Sequence, residues 1–595
     1  MVALDYIVIA FYFLGLIAVS LVMARRIRSS EDMFIAGRNS SWWLSGISSY
    51  MTIFSASTFV VWGGVAYKSG LVAVSTAVCL GISSLFVGKW IAGKWRRLKI
   101  KSPGEYLAIR FGKRTVSFYT VCGIVGRGVH TAVGLYAVAV IACALIGVPD
   151  GSIFASTGLP GDSPQGCLSI WWALLLLGAI TLAYTVAGGF LAVLMTDVIQ
   201  FGVLLFVVVF MLPLSFKAVG GVGTFIERGM MIPGFFSGTS PSYTFIWLVL
   251  WMCLHIAMIG GDWPFVQRYI SVPTVKDAKK STYLIAALYL VTPLIWYLPT
   301  MICRVMEPGL ALDLDAQTMT YNGEHAYVNM SRLVLMGGMV GMMLSAMLSA
   351  TLSNVSGTLN VYANVFTYEI WGRFGKNADA DERTRIRVGR IFTLVFGLII
   401  MGIAMLVPFA GGAEKVVVMI LTMVLCPLYI PSIWGLFSRR LSGNQLMAAM
   451  LISWAVGFTA RFTVPAEIMS GSLIETISGC ALPVFILGLM ELVSALRGIS
   501  NAGYERMETY VDREAENPST VVPRKAVKSY AHMAVSCFCT TISAIAVLLA
   551  GLLLAGDPKA LESGNIVKLF IFVVAALDIV YVAYRIIDAK TDRSR

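Results

Sequence analysis

Charged residues are scarce in this sequence, and so are the patterns that hold metals. Asp, Glu, Lys and Arg make up 13% of the 595 residues, whereas 58% are hydrophobic. Soluble domains carry about 25% charged residues, so this composition excludes an ordinary soluble protein. The 10 cysteines form no C-x-x-C pair and the 4 histidines are scattered. The sequence predicts no metal cluster, nucleophile–base set or phosphate-binding glycine loop, so we expect neither an enzyme nor a cofactor.

Long apolar runs are abundant instead. A membrane-spanning helix needs about 20 apolar residues, and runs of this length recur along nearly the whole chain. We therefore predict an all-α integral membrane protein with about fifteen transmembrane helices. The predicted spans lie near residues 6–24, 44–68, 71–93, 115–147, 168–187, 190–214, 244–262, 282–305, 332–368, 389–408, 415–437, 443–460, 473–495, 533–555 and 566–586.

Basic residues are distributed unevenly between the predicted loops. They collect in every second loop, as in 94–114, 373–390 and 439–440. Short cytoplasmic loops collect Lys and Arg, so the net charge of +13 indicates membrane topology and not nucleic-acid binding. The first apolar run precedes its basic residues, the reverse of a cleavable signal peptide. We predict a multi-pass protein of the cell (inner or plasma) membrane, with the N-terminus outside and the C-terminal tail in the cytoplasm.

One acidic residue lies inside an apolar run. Asp197 follows the glycine pair Gly188-Gly189 in the stretch from Thr185 to Gln200. A carboxylate at membrane depth is costly unless a cation, a proton or a basic side chain compensates it. Asp197 is therefore a candidate cation ligand. The alternative is a buried ion pair with Arg127 or another base.

Several motifs occur in order along most of the chain. They resemble the sodium:solute symporter family, which includes the sodium/glucose, sodium/proline and sodium/iodide transporters. The resemblance covers about residues 5–460. The motifs are Phe34–Arg38 (FIAGR) leading to Trp42-Trp43, Ser102–Phe111 (SPGEYLAIRF), Gly188-Gly189 with Thr196-Asp197 and Gln200, Gln267-Arg268, and Ser349–Asn360 (SATLSNVSGTLN).

The resemblance implies a LeuT-like core, a five-plus-five inverted repeat with one extra N-terminal helix and additional C-terminal helices. Residues 1–40 would hold the extra helix and a cytoplasmic loop. The core would cover 41–460, with a first repeat at about 41–215 and a second at about 243–460. An additional helix at 461–495, a charged cytoplasmic linker at 496–530, and two helices with a tail at 531–595 would follow.

The resemblance also implies that spans two and seven are broken. A break leaves backbone groups without helical partners, which is tolerated only where protein, ions or water satisfy them. Residues 48–58 are a polar interval between apolar flanks, and residues 255–264 contain Gly-Gly and Pro. The alternatives are hydroxyls that bond back to an unbroken helix, and a helix that simply ends at Gly and Pro.

By resemblance, a sodium site would use oxygen ligands from two helices. The carbonyls of Met51 and Phe54 in span two would face span nine. There the carbonyl of Ala350 and the side chains of Ser353 and Asn354 lie on one helical side. Asn354 stands where the family has a hydroxyl, but an amide oxygen can also coordinate a hard cation.

A second cation is a further hypothesis. In some family members the acid after the Gly-Gly motif joins serines of the eighth core helix. Here these would be Asp197, Ser353 and Ser356. Gly357 lacks a hydroxyl where one is expected.

The solute is predicted to be a small polar molecule. Arg127 and His130 lie one turn apart and could hold an anion, so a carboxylate-bearing solute is the hypothesis. The alternative is that Arg127 pairs with Asp197 or Asp262. Positions that contact sugar in related transporters lack the amides, acid and lysine of a sugar site. The remaining solute candidates are Ile53, Ser57, Thr58, His255, Met258 and Tyr289.

These expectations combine into sodium-coupled symport by alternating access. The ion would favour an outward-open form and so raise solute affinity there. The expected partners are the solute, sodium and membrane lipid, with the chain a monomer or a weak homo-oligomer. A proton-coupled or uncoupled carrier on the same fold is the alternative, and a transporter-derived sensor is a further one.

Overall fold

The computed structural model consists of helices joined by short connections. It describes residues 3–25, 27, 29–149, 151–157, 162–163, 166–309, 326–335, 338–373, 381–410, 417–465, 469, 471–516, 524–556, 574–579, 581–582 and 584. The first twelve α-helices are α1 Ala3–Ala24, α2 Ser30–Ile35, α3 Trp42–Ile53, α4 Ala56–Ser69, α5 Val72–Trp90, α6 Ala92–Arg97, α7 Pro103–Phe111, α8 Lys113–Leu145, α9 Ile170–Val219, α10 Val222–Met230, α11 Phe245–Gly261 and α12 Trp263–Ile270.

The second half of the chain adds ten α-helices. They are α13 Val275–Met306, α14 Ala326–Val334, α15 Met339–Val365, α16 Glu382–Ala404, α17 Cys426–Trp434, α18 Gly443–Thr463, α19 Gly471–Thr476, α20 Leu482–Leu496, α21 Ala502–Glu516 and α22 Arg524–Gly556. Short π-helical segments continue α15 and precede α17 and α20, at Phe366–Ile370, Ile420–Leu425 and Ile477–Ala481.

The described residues contain 10 helices that are long and apolar enough to cross a membrane, or up to 12 spans if each bent pair counts as one. This confirms an all-helical multi-pass membrane protein, with fewer spans than the fifteen or so predicted. The predicted run 168–187 corresponds to a shorter apolar stretch, Ile170–Ala183, at the start of α9. The predicted run 533–555 lies within α22, and most of 566–586 lies outside the described residues.

Both predicted breaks are present. The helices α3 and α4 meet at 58°, and α11 and α12 meet at 50°. At the first break, Phe54 and Ser55 adopt extended backbone angles, and the Ser55 side chain caps α4. At the second, Asp262 is extended and Pro264 occupies the first turn of α12, where proline is tolerated because its missing N–H has no helical acceptor.

The helix α15 lies at the centre of the bundle. Every residue from Met339 to Val365 is buried. The helix packs against α1, α3, α8, α9 and α16. Its polar residues therefore face other helices and not lipid, as buried polar groups in a membrane protein must. Because α15 is central and contacts α3, polar groups released at the first break can meet the polar residues of α15.

Several of the sequence motifs contact one another at the end of α2. Gln267 donates from Nε2 to the Phe34 carbonyl at 2.6 Å and to Asn360 Oδ1 at 2.7 Å. Gly189 kinks α9 with φ 57° and ψ −164°, and a Cβ there would lie 2.9 Å from the Met33 carbonyl oxygen. These angles are accessible almost only to glycine. The spacing of the motifs thus reflects contacts between distant helices.

The charged region after α20 contains a helix that packs against the core. Within the predicted linker 496–530, α21 contacts α7. Tyr510 donates to Glu105 Oε1 at 3.1 Å, and Arg110 donates to Asn501 Oδ1 at 3.2 Å. The predicted charged linker thus contains a helix of its own, Ala502–Glu516, while the domain limits and the inverted symmetry of the core stay predictions.

Candidate functional site

One cavity brings together all the predicted solute-contacting residues. It has a volume of about 680 Å³, including the space at its mouth, and lies beside the first break. The predicted residues that line it are Ile53, Ser57, Thr58, Arg127, His255, Met258 and Tyr289, together with His130. Residues from α3, α4, α8, α11 and α13 therefore converge on one space.

Aromatic side chains form much of the remaining wall, and the sequence interpretation did not include them. Trp62 and Trp251 lie 5.4 Å apart between ring centroids, and Trp251 packs edge-on against His255 at 4.6 Å. Phe265 and Tyr297 complete this set. Trp251 precedes His255 by one helical turn, and that spacing was the available signal.

Arg127 lines the cavity from α8 and is bound by an acid and an amide. Its Nη1 lies 3.2 Å from Asp262 Oδ2, and its Nη2 donates to Asn354 Oδ1 at 3.2 Å. Pairing with Asp262 is one of the two alternatives drawn from the sequence. The other, pairing with Asp197, is wrong because Asp197 is bound by a different arginine. Arg127 Nε is buried without a hydrogen-bond partner.

The two histidines of the cavity present opposite hydrogen-bonding groups. His255 Nδ1 lies 2.8 Å from the Trp251 carbonyl, which can only accept, so this nitrogen carries the proton. His130 Nδ1 lies 3.4 Å from Arg127 Nη1, which can only donate, so this nitrogen carries the lone pair. In the neutral state, His255 Nε2 is therefore an acceptor and His130 Nε2 is a donor.

Asp197 is fully buried against Arg268 of α12. The Arg268 Nη2 atom lies 3.4 Å from Asp197 Oδ2, and both side chains are 0% exposed. Ser48 donates to Asp197 Oδ2, and Ser353 donates to Oδ1 at 2.5 Å. The buried pair predicted as an alternative is thus present, with Arg268 as its base. The signal for this partner was an arginine next to a predicted break in an apolar span. The sequence interpretation used Gln267-Arg268 only as a family motif and did not consider Arg268 as a partner of Asp197.

The carbonyls of Met51 and Phe54 lose their helical donors at the first break. In a continuous helix they would accept from the N–H groups of Ser55 and Thr58. Instead Ser55 N donates to Thr58 Oγ1 at 3.4 Å, and Thr58 N donates to the Ser55 carbonyl at 2.9 Å. Two carbonyl oxygens suited to a hard cation are therefore released from the helix at this point.

The break faces α15 directly. Ala56 N donates to Thr351 Oγ1 at 2.8 Å, which ties the start of α4 to that helix. Ala350, the predicted carbonyl ligand, precedes Thr351 within α15. The side chain of Phe54 points into an aromatic cluster, with Trp296 at 5.1 Å between ring centroids. A bulky residue at position 54 is thus compatible with a backbone ligand.

The second break uses protein donors for its released carbonyls. Trp95 Nε1 donates to the Gly260 carbonyl at 2.7 Å, and the Tyr269 hydroxyl donates to the Ile259 carbonyl at 2.8 Å. This break is therefore satisfied by side chains and has less need of an ion than the first.

The side chains predicted to bind cations have partners within the protein. Ser353 donates to Asp197 and keeps its oxygen lone pairs, while Asn354 Oδ1 accepts from Arg127. Ser356 donates to the Ser353 carbonyl at 3.0 Å within α15. Asp197, the acidic member of the predicted second site, has the Arg268 guanidinium beside it at 3.4 Å.

Comparison with known proteins agrees with this geometry. A profile of the sodium:solute symporter family matches residues 33–159 and 163–453. The chain belongs to the sodium:solute symporter family. Sodium and a solute are therefore its expected cargo, and an enzymatic activity is not. The family assignment made from the motifs is confirmed.

Individual relatives are distant members of the sodium:solute symporter family. The sodium/sialic acid symporter NanT of Aliivibrio fischeri is 24% identical over 417 residues, which are 67% of this chain and 75% of the relative. The sodium/glucose cotransporter of Vibrio parahaemolyticus is 25% identical over 439 residues, covering 69% and 75%. Such identities leave the solute of this chain open.

A solved structure shares the fold. It is a sodium-coupled sialic acid symporter in a substrate-bound, outward-open state, with a TM-score of 0.65 and 20% identity. The alignment covers 81% of this chain and 98% of that one. The predicted LeuT-like fold is thereby confirmed.

Proposed function

We propose that this chain imports a small carboxylate-bearing metabolite together with sodium, by alternating access. The observation that carries the proposal is the single cavity shared by the seven solute candidates, next to released carbonyls at the first break. Uptake is inward if the basic loops face the cytoplasm, as the charge pattern predicts.

The lining supports an anionic solute over a sugar. Arg127, His130 and His255 contribute nitrogen groups, and none of the described residues around the cavity is an aspartate or glutamate. Asp262 neutralises Arg127, yet Arg127 Nε has no hydrogen-bond partner. A carboxylate in the cavity would give this buried donor a charge-assisted hydrogen bond. Sugar sites need several amide and carboxylate partners, which this wall lacks.

The first break supports a sodium site of five groups. The carbonyls of Met51 and Phe54, the carbonyl of Ala350, and the side chains of Ser353 and Asn354 would hold the ion. Sodium needs oxygen ligands without full negative charge, and carbonyl and hydroxyl oxygens meet this need. Symport of one sodium with a singly charged carboxylate moves no net charge, so the sodium concentration gradient would be the driving force. A tenfold gradient supplies about 1.4 kcal/mol, enough for about tenfold accumulation.

Asn354 connects the two sites. Its Oδ1 accepts from Arg127, the proposed solute anchor, while the same side chain belongs to the proposed sodium site. Sodium at Asn354 would weaken this hydrogen bond and free Arg127 for the solute. Each ligand would then favour the other, as linkage requires for coupled binding.

We further propose a stoichiometry of one sodium. A second ion near Asp197 and Ser356 would meet the Arg268 guanidinium, 3.4 Å from the carboxylate. Like charges at this distance in a buried site repel strongly. Arg268 therefore supplies permanently the positive charge that a second cation would otherwise bring.

The test is solute uptake into proteoliposomes with variants of Arg127. A thermal-stability screen of small carboxylates, with sodium or potassium, first selects the solute. Arg127→Gln should then raise the apparent KM at least tenfold, since one charge-assisted bond is worth about 1.5–3 kcal/mol. Ser57→Ala, an uncharged change in the same wall, should have a smaller effect.

Two outcomes would count against the proposal. An unchanged KM in Arg127→Gln would remove Arg127 as the anchor. Uptake that is driven equally by a proton gradient, or that needs no gradient, would favour the proton-coupled or uncoupled carrier on the same fold.

A further inference from the structure

A second and entirely different groove lies on the outer surface of the bundle. It measures about 530 Å³, and its walls come from α5, α11, α17 and α20. The lining is apolar and aromatic, and includes Phe86, Trp90, Cys253, Ile433 and Val484. Phe86, Trp90 and Val484 are 41–45% exposed, so the groove opens to the surroundings of the protein. In a membrane, those surroundings are lipid.

Two lysines flank one end of this groove. The Lys94 ammonium lies 3.7 Å from the ring centroid of Phe437, and the Lys89 ammonium lies 4.5 Å from that of Trp90. Both rings belong to the groove wall. The groove therefore has a long apolar part and a positively charged end.

Lys89 is unusual for its place in the chain. It is the penultimate residue of the apolar span α5 and is exposed at its surface. Charged residues on the lipid side of a span are rare and need a partner or a path to the interface. A lysine can extend its ammonium to the headgroup level, where a lipid phosphate can pair with it.

The acidic Glu491, which accepts from the groove residue Trp434, is already engaged. Glu491 of α20 pairs with Arg440 at 3.2 Å. It also accepts from Ser438 at 2.5 Å and from Trp434 Nε1 at 3.5 Å. The carboxylate is thus neutralised within its own cluster. Lys94 donates to the Leu436 carbonyl at 3.3 Å and forms no ion pair with a carboxylate in the part of the chain that the structure describes.

We propose that this groove binds an anionic phospholipid, with an acyl chain along the apolar wall and the phosphate on Lys89 and Lys94. Basic pockets between transmembrane helices on the cytoplasmic side suit acidic headgroups. Any lipid could fill an apolar groove, so the two lysines are what select for negative charge. The site is separate from the solute cavity and does not depend on its assignment.

The groove also borders the second break. Gly260 and Gly261, at the end of α11, approach Ile433 so closely that a Cβ on either would lie 3.0–3.1 Å from its Cδ1 atom. Ile433 also lines the groove. A lipid chain seated there would pack against α11 and α17 together, and so stabilise their present arrangement.

The test compares lipid retention by the purified full-length chain. Native mass spectrometry after delipidation and titration with phosphatidylglycerol or phosphatidylcholine measures the headgroup preference. We expect retention of phosphatidylglycerol over phosphatidylcholine, and about thirtyfold weaker retention in Lys89→Gln/Lys94→Gln. Lys113→Gln, an exposed cytoplasmic-side lysine outside the groove, is the control and should retain the wild-type preference.

A second variant separates the groove from charge in general. Cys253 is exposed in the groove wall, and Cys253→Trp should fill the acyl site and reduce retention of both lipids without altering buried packing. Equal retention of the two lipids by the wild-type chain would overturn the proposal. So would an equal loss in the Lys113→Gln control, or full phosphatidylglycerol retention in Cys253→Trp.

Discussion

Removing one partner of the Arg268–Asp197 pair should destabilise the protein more than removing both. Both side chains are 0% exposed, so water cannot replace a missing charge. Asp197→Asn leaves a buried guanidinium, and Arg268→Gln leaves a buried carboxylate. The double variant leaves two neutral amides, which the hydroxyl groups of Ser48 and Ser353 can still bind.

The size of the effect follows from the separation of the charges. At 3.4 Å and an effective dielectric constant of about 20, two unit charges attract by about 5 kcal/mol. Breaking a buried pair by removing one partner costs about 3–5 kcal/mol, whereas replacing both is often nearly neutral. We therefore expect a loss of about 3–5 kcal/mol in each single variant and less than about 2 kcal/mol in Asp197→Asn/Arg268→Gln.

The assay is chemical unfolding in mixed micelles, followed by tryptophan fluorescence. Glu31→Gln is the matched control, because it breaks the Lys101–Glu31 pair, whose side chains are 51% and 36% exposed. Exposed pairs are worth about 0–1 kcal/mol, so this variant should unfold almost like the wild type. If the double variant loses as much stability as the sum of the single variants, the charges do not compensate each other and the reasoning fails.

Three further predictions concern the breaks and the coupling. Gly189→Ala should lower the free energy of unfolding by about 1–3 kcal/mol, because φ 57° with ψ −164° suits only glycine. An unchanged midpoint of chemical unfolding would contradict the kink at this residue. Thr351→Val should leave the Ala56 N–H unpaired, costing about 1–3 kcal/mol and raising the sodium concentration for half-maximal uptake. Thr393→Val, whose hydroxyl donates to the Gly389 carbonyl within α16, is the control and should leave that concentration unchanged. Asn354→Ser should shorten the side chain and remove its hydrogen bond to Arg127, so that solute affinity depends less on sodium. An undiminished dependence in binding titrations would exclude Asn354 as the link between the two sites.

The breaks, and the grouping of the solute candidates around one cavity, were accessible from the sequence. Polar residues within an apolar run, and Gly-Gly followed by Pro, leave few arrangements that satisfy the backbone in lipid. The resemblance to a family then placed the residues of α3, α4, α11 and α13 around one space. These inferences depend on local composition and on the order of the helices, both of which the sequence contains.

The pairing of buried charges was less accessible. Arg127 had two candidate acids and Asp197 had several candidate bases, and sequence distance does not choose between them. The structure pairs Arg127 with Asp262 and Asp197 with Arg268, since α12 begins directly after the second break and points Arg268 toward α9. That choice depends on the bend between α11 and α12, which no single-residue pattern contains.

The number of spans is also difficult to predict from apolar runs alone. Fifteen or so apolar runs were predicted, yet the described residues give 10 to 12 candidate spans. Runs 168–187 and 190–214 fall on two helical segments of α9 that meet at Gly189, whose backbone is not helical; only the second is long enough to count as a span, while the first is the shorter apolar stretch Ile170–Ala183. A glycine pair can end a helix or bend it, and packing against the turn at Met33 decides which occurs.

Sodium-driven accumulation of the solute is the most direct test of the central claim. Proteoliposomes loaded with potassium are diluted into sodium or potassium medium, and uptake of the solute selected by the stability screen is followed with and without a sodium ionophore. We predict accumulation above equilibrium only with an inward sodium gradient, and its loss when the ionophore collapses that gradient. Equal accumulation in potassium medium would contradict the account.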